Sequence, residues 1–218
     1  MFVYTALGDS ITRGVGATCP AHAYPRQLAG MLRSRRKRAC SQVVARSGWT
    51  STDLLRALGD IDPIRLRNST ATSIWIGADN LVLAGLSMLG GADKRVIPDT
   101  LARYQRDLSV ILKWIRSVSP TPIVLCTQYN PFPKSAIAAE AIAALNSVTQ
   151  QAAGQHRVAL APTHRWFEGR QPELIAGYRS GRLEDAQGGS LPVHPNDLGH
   201  RVIAQGLLPL MANPGNKS

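Results

Sequence analysis

Short apolar runs alternate five times with longer segments of helical periodicity, and this alternation constrains the fold more than any other feature of the sequence. The apolar runs have the length of β-strands and occupy residues 2–7, 42–45, 72–76, 122–126 and 157–161. The helical segments occupy residues 24–38, 53–58, 100–118, 136–153 and 197–211. Because repeated strand–helix units build a parallel sheet with helices on both faces, we predict an α/β protein with a five-stranded parallel sheet.

The length of the chain favours one domain. A chain of 218 residues can bury one sizeable core, so we predict a single domain over residues 1–213, with a loose tail at 214–218. No regular structure is predicted for residues 162–192, which are rich in Gly, Pro and charged residues. No apolar run approaches the length of a membrane span, and the first strand begins too early for a signal peptide to precede it. We therefore expect a cytoplasmic protein.

The formal net charge of +11 is high, and basic residues cluster at 33–38 and 65–67. Such a balance can favour nucleic acid or anionic surfaces. The main basic run, however, lies at the end of a predicted helix, where cations suit the helix dipole. It also lacks the interleaved aromatic residues that single-strand binding uses. We interpret the run as a solvated face and expect no nucleic-acid partner.

The cysteines are three in number and far apart, at positions 19, 40 and 126. An odd number at these spacings matches neither a disulfide framework nor a zinc site. We expect reduced thiols and no metal centre.

The first candidate for chemistry is Ser10, in the Gly8-Asp9-Ser10 turn that ends the first strand. Open α/β sheets bind ligands at the carboxyl ends of their strands. A serine hydroxyl held there can be approached by a base on one side and a substrate on the other. On this segment alone, a helix N-cap is an equally good interpretation of Ser10.

Two further strand ends and one later segment complete a set of candidates. Gly48 follows the second strand, and a glycine there lets a backbone N–H approach a substrate oxygen closely. Asp79 or Asn80, in a loop predicted after the third strand, could offer a side chain to the same oxygen. His194, just before the last helix, could act as the base for Ser10. In a parallel sheet these strand ends share one edge, so we expect the candidates to converge.

Four segments resemble, in their order and over nearly the whole chain, the motifs of the SGNH (GDSL-type) hydrolases. They are Gly8-Asp9-Ser10, Gly48, Gly77-Ala78-Asp79-Asn80 and His194-Pro195-Asn196. The resemblance implies a flavodoxin-like three-layer α/β/α sandwich and an esterase, lipase, thioesterase or carbohydrate deacetylase that needs no cofactor. It implies that Ser10 is the nucleophile, Gly48 an oxyanion-hole residue and His194 the general base. The expected partner is a small-molecule ester or acylated substrate.

The sequence departs from the family at the position three residues before His194. An aspartate is usual there, and this chain has Leu191. A leucine side chain cannot accept a hydrogen bond from imidazole. The histidine would then be oriented by a backbone carbonyl near Leu191, by Glu184 or Asp185, or by nothing, and a Ser-His dyad remains chemically viable.

The same Asp-x-x-His spacing recurs at Asp197 and His200. We interpret Asp197 as the N-terminal acid of a helix and His200 as a helical packing or surface residue.

The second departure is Asp79-Asn80 where the family has Asn-Asp. An ionised carboxylate would repel a developing oxyanion. We therefore predict Asn80 as the side-chain donor, with a protonated Asp79 as the alternative. Loops at residues 83–98 and 162–192 are expected to form the pocket walls. Because Leu191 and Asp79 both weaken the motif, a binding protein that retains the fold and has lost the chemistry is the rival hypothesis.

Overall fold

Five parallel strands form one sheet in the computed structural model, which describes residues 1–36, 38–93, 95–187 and 191–212. The strands are β1 (Phe2–Gly8), β2 (Ala39–Ala45), β3 (Ala71–Trp75), β4 (Ile123–Cys126) and β5 (Ala159–Ala161). Their order is β2-β1-β3-β4-β5, and each pair is parallel. The flavodoxin-like sheet expected from the sequence is confirmed. The predicted tail at 214–218 lies outside the described residues.

Helices cover both faces of the sheet. They are α1 (Ser10–Arg13), α2 (Tyr24–Arg36), α3 (Ser51–Asp60), α4 (Ile64–Arg67), α5 (Ala78–Leu89), α6 (Val96–Val118), α7 (Ala136–His156), α8 (Thr163–Phe167), α9 (Gln171–Leu174) and α10 (Asp197–Ala212). Short 3₁₀ turns occur at Pro20–His22 and Leu183–Gln187.

Alternation along the strands divides the buried side chains between two cores. Tyr4 and Trp75 point to one face, where α2 and α10 pack over them. Leu7 and Ile74 point to the other face and pack against α3, α6 and α7. Successive strand residues face opposite sides, and β1, β3 and β4 are buried on both sides, as in a doubly covered parallel sheet. The edge strands β2 and β5 are partly exposed. The α/β/α sandwich is thereby established.

The prediction was wrong for the residues after β3. Residues 77–80 were expected to form a loop, and 83–98 to form a pocket wall without helix; instead α5 begins at Ala78 and runs to Leu89. Its apolar side chains do not mark one buried stripe, because Val82, Leu83 and Leu86 are exposed while Ala84 is buried. A helix whose apolar residues lie on both faces gives little periodic signal.

Smaller differences occur elsewhere. The segment 162–192 contains α8, α9 and a 3₁₀ turn. Helix α7 continues to His156, where Arg157 ends it in a left-handed conformation with φ of 49°, so β5 begins two residues later than predicted. Cys19, Cys40 and Cys126 are free cysteines in this structure. In the described ranges, no helix combines the length and apolar character that crossing a bilayer requires.

Candidate active site

Ser10 is fixed at the carboxyl end of β1 by a tight strand-to-helix turn. Asp9 caps α1, and its Oδ1 accepts a hydrogen bond from the Ile11 N–H at 3.0 Å. Gly8 is required because a Cβ there would lie 2.2 Å from the carbonyl oxygen of Trp75. Ser10 itself is only 9% exposed and lies two residues after the end of β1, at the edge of the sheet.

His194 meets Ser10 from the other end of the chain. Its Nε2 lies 2.9 Å from Ser10 Oγ, although 184 residues separate the two in sequence. Burial lowers the pKa of His194 below its ordinary 6.5. A neutral imidazole hydrogen-bonded to a serine hydroxyl can accept its proton. The structure therefore brings together the predicted nucleophile and the predicted base.

Backbone contacts hold the segment around His194. The Ala176 N–H donates to the His194 carbonyl at 2.9 Å, and Ile175 and Pro195 form an antiparallel bridge. On the other side, a Cβ at Gly16 would lie 2.2 Å from the Pro195 carbonyl oxygen, so the loop after α1 packs directly against this segment. The histidine is thus positioned through its main chain.

No carboxylate orients His194 within the part of the chain that the structure describes. Leu191 is 38% exposed, and the Asp185 carboxylate instead accepts from Ser180 Oγ and the Gly181 N–H. Glu184 is exposed and makes no hydrogen bond to the histidine. Of the alternatives left open by the sequence, the two carboxylates are therefore not used in this structure.

His200 lies in the core. It is fully buried, and its ring nitrogens contact the Val15 carbonyl at 3.1 Å and the Tyr24 N–H at 3.4 Å. Burial lowers its pKa to about 4. Asp197 pairs with His22 at 2.7 Å rather than with His200. The Asp197–His200 spacing is therefore a helix-start acid followed by a packing histidine, as interpreted from the sequence.

Gly48 lies in the turn after β2 with φ of 82°, a conformation that favours glycine. A Cβ at this position would meet no heavy atom within 4 Å, so one side of the turn faces open space. The turn leads into α3, whose N-cap is Thr50. Gly48 is thus accessible, and the α3 N-terminus that follows it also contacts Asn80.

Asn80 is hydrogen-bonded at both ends of its amide to Ser51. Its Oδ1 accepts from the Ser51 N–H at 2.9 Å, and its Nδ2 donates to Ser51 Oγ at 3.0 Å. The Ser51 hydroxyl in turn donates to Asp107 Oδ2 at 2.7 Å. Sequence reasoning missed Ser51 and Asp107, since a serine in a capping turn and an aspartate within a helix give no motif. One Nδ2 hydrogen of Asn80 makes no hydrogen bond to the described residues.

Two carboxyl groups occupy the same edge of the sheet. Asp79 is half-buried, and burial, followed by the charge of Asp53, raises its pKa. Asp9 is fully buried, and burial, followed by the charge of Asp79, raises its pKa to about 8. Asp9 Oδ2 has no hydrogen-bond partner among the described residues. This raised pKa favours the protonated, neutral form of the Asp9 carboxyl beside the nucleophile.

A cavity of about 640 Å³ adjoins Asn80 between α3, α5 and α6. Its walls include residues of the predicted 83–98 wall, namely Leu83, Ala84, Ser87, Ala92, Asp93, Arg95 and Val96. The described residues of 162–192 are not among its lining. Nor do the described residues contain a group of three or more His, Cys, Asp or Glu side chains suited to holding a metal ion.

Comparisons with known proteins bear on the family and the fold of this chain. The profile of the GDSL-like lipase/acylhydrolase family matches residues 6–202. A spore germination lipase, LipC of Bacillus licheniformis, is 24% identical over 211 residues, which cover 94% of this chain and 93% of the relative. The crystal structure of the lipase Lip_vut3 from a goat rumen metagenome aligns with a TM-score of 0.79 at 23% identity, covering 95% and 96% of the two chains. Axe2, an acetylxylan esterase from Geobacillus stearothermophilus, aligns with a TM-score of 0.69 at 18% identity, covering 99% and 95%.

Proposed function

Because the chain belongs to the GDSL-like lipase/acylhydrolase family and is therefore a carboxylic ester hydrolase, we propose that it cleaves its substrate through an acyl-enzyme on Ser10. His194 is the general base of this mechanism. The observation that carries the proposal is the 2.9 Å contact between His194 Nε2 and Ser10 Oγ at the carboxyl edge of the sheet. The proposed substrate is a carboxylic ester or a thioester, and the lipases and esterases among the similar proteins support the ester.

In the acylation step, Ser10 Oγ attacks the carbonyl carbon while His194 Nε2 takes the hydroxyl proton. The oxyanion of the tetrahedral intermediate accepts hydrogen bonds from the N–H groups of Ser10 and Gly48 and from the free Nδ2 hydrogen of Asn80. The imidazolium then gives its proton to the leaving alcohol or thiol as the bond to the acyl carbon breaks. In the second step His194 takes a proton from water while the water oxygen attacks the acyl carbon. The imidazolium then returns the proton to Ser10 Oγ as the ester bond breaks, which releases the acid and regenerates the Ser10 hydroxyl.

A dyad is sufficient for this chemistry. In subtilisin, loss of the triad aspartate costs about 3 × 10⁴ in kcat, against about 2 × 10⁶ for loss of the serine or the histidine. The neutral state of His194 is already favoured by burial. The backbone contacts around Pro195 fix the main chain from which the His194 ring reaches Ser10.

A fluorophosphonate probe and a panel of p-nitrophenyl esters of graded acyl length test the proposal together. We expect the purified protein to hydrolyse at least the short esters and to be labelled at Ser10, with loss of activity in proportion to labelling. Ser10→Ala should be neither labelled nor active. Ser117→Ala changes an exposed serine of α6 whose hydroxyl donates to the Trp114 carbonyl, so this variant should keep both properties.

Labelling that persists in Ser10→Ala would remove the nucleophile from the mechanism. A folded protein that neither hydrolyses any ester nor reacts with the probe would instead support the rival hypothesis of a binding protein.

A further inference from the structure

We propose that Asp107 is a positioning residue of the oxyanion hole, acting through Ser51 to fix which end of the Asn80 amide faces the substrate. The inference rests on the proposed function, in which Asn80 donates to the oxyanion. None of the three residues is near another in sequence: 29 residues separate Ser51 from Asn80 and 56 separate Ser51 from Asp107.

Asp107 first determines the direction of the Ser51 hydroxyl. A serine hydroxyl has one hydrogen, and a carboxylate can only accept. Ser51 Oγ lies 2.7 Å from Asp107 Oδ2, and Thr52 Oγ1 donates to the same oxygen at 2.7 Å. The hydroxyl hydrogen of Ser51 is therefore donated to Asp107 of α6, and only the lone pairs of Ser51 Oγ remain for other partners.

Ser51 then distinguishes the two ends of the Asn80 amide. Its backbone N–H can only donate, and its Oγ, with the hydrogen committed, can only accept. The observed amide matches both groups, with Oδ1 at 2.9 Å from the N–H and Nδ2 at 3.0 Å from Oγ. A flipped amide would place Asn80 Oδ1 against Ser51 Oγ, two acceptors, and Asn80 Nδ2 against the Ser51 N–H, two donors. Because Asn80 is only 6% exposed and Ser51 fully buried, water cannot relieve either mismatch.

The orientation matters because an oxyanion hole needs donors alone. In the observed orientation, the uncommitted group of Asn80 is an Nδ2 hydrogen. Without Asp107, the Ser51 hydroxyl is free to rotate and donate to an amide oxygen, so the flipped state loses one of its two mismatches. A fraction of molecules would then hold Asn80 in an orientation that cannot donate to the oxyanion.

The test is steady-state hydrolysis of a p-nitrophenyl ester by Asp107→Ala, Asp107→Asn and the control Ser109→Ala. Ser109 lies about half a turn further along α6 and hydrogen-bonds to His156 of α7. Its replacement therefore weakens the packing of the same helix without changing a contact of Ser51. We expect Asp107→Ala to lower kcat by roughly 10- to 100-fold, the range known for residues that orient metal ligands, with little change in KM. Asp107→Asn should recover most of the loss because its Oδ1 can accept from Ser51. Ser109→Ala should keep the wild-type kcat.

The decisive comparison is a double variant. If Asp107 acts through Asn80, Asp107→Ala should cause no further loss of kcat in an Asn80→Ala background. An additive loss, or a wild-type kcat for Asp107→Ala, overturns the proposal, as does an Asn80→Ala kcat within a few-fold of wild type. Titration of active sites with the fluorophosphonate corrects every kcat for the folded fraction, and Ser51→Ala replaces Asp107→Ala if the latter does not fold. Equal activities of wild type and Ser10→Ala would instead refute the proposed function itself.

Discussion

Tyr129 donates a hydrogen bond from its hydroxyl to the carbonyl oxygen of Val193, the residue immediately before the proposed base. The tyrosine is 3% exposed and stacks on Phe167, with ring centroids 4.1 Å apart and planes 8° apart. A rigid aromatic at the end of β4 therefore anchors the main chain that carries His194. This contact holds the main chain beside His194. The side chain of Leu191 cannot orient the imidazole ring, because it cannot accept a hydrogen bond.

We expect Tyr129→Phe to lower kcat by about tenfold with KM nearly unchanged, because a small displacement of His194 weakens proton transfer more than substrate binding. The stacking on Phe167 is retained, so the substitution isolates the hydrogen bond. The measurement is kcat and KM on a p-nitrophenyl ester, with thermal melting to follow the fold. A lowered melting temperature with unchanged kcat per active site would show that the bond serves stability alone.

His194→Ala should abolish most activity, with a loss of roughly 10⁴–10⁶ in kcat, since a Ser-His pair acts as one unit. His200→Ala removes a buried ring that stacks on Tyr24 at 6.2 Å, so it should destabilise the protein. Its kcat per folded active site should nevertheless stay within a few-fold of wild type. If the two variants exchange these results, the second histidine rather than the first is the base.

The parts of this structure that were predictable are those with a local signal. Strand length and helical periodicity gave the five-stranded sheet and its long helices, and the Gly-Asp-Ser turn and His194 were identified from short motifs. Helix α5 was missed because its apolar residues lie on both faces. Asp107 could not be predicted, because its contact with Ser51 depends on how α3 and α6 pack against each other. Such a contact between distant segments has no characteristic residue spacing that could be recognised in the sequence.

The pH dependence of kcat/KM should show a general base whose pKa is unusually low. Burial is the cause that lowers the pKa of His194 below 6.5, and no described carboxylate counteracts it. Because the neutral imidazole is the active form, kcat/KM should rise as pH increases through an inflection below 6.5 and be level near neutrality. The profile is measured on a p-nitrophenyl ester with the appearance of the acid followed by pH-stat below pH 6. An inflection above 6.5 would indicate a carboxylate beside the imidazole.

Variants at the first turn of α5 decide between Asn80 and Asp79 as oxyanion donors. If Asn80 donates, Asn80→Ala should lower kcat by roughly 10²–10³, and Asp79→Asn should change it by less than about threefold. If a protonated Asp79 donates instead, Asn80→Ala is the mild change. Wild-type activity then falls as pH rises through the Asp79 pKa, which burial and Asp53 raise, and Asp79→Asn abolishes that fall. The charge of Asp79 also raises the pKa of Asp9, so ionisation of Asp9 would steepen the same alkaline limb.

The last prediction concerns Asp9, whose carboxyl is buried beside the nucleophile. Burial, followed by the charge of Asp79, raises its pKa from 3.8 to about 8. The unfolded chain therefore loses this proton near pH 4, while the folded chain keeps it to about pH 8. The stabilisation from the protonated carboxyl is complete below pH 4 and is lost progressively as pH rises to about 8. Asn is an equally good N-cap residue, so Asp9→Asn preserves the start of α1 without a titrating group.

We expect the melting temperature of Asp9→Asn relative to wild type to rise with pH between about pH 4 and 8. The difference should grow by roughly 3–5 °C per pH unit and level off above that range, since one proton is worth about 1.4 kcal/mol per unit. The lowered pKa of His200 acts in the opposite direction below pH 6.5, but both proteins carry it, so it cancels in the difference. Asp60→Asn, at an exposed position of α3, is the matched control and should melt in parallel with wild type. Parallel curves for Asp9→Asn as well would mean that Asp9 is ionised in the folded protein at neutral pH, and that the nucleophile turn holds a buried negative charge.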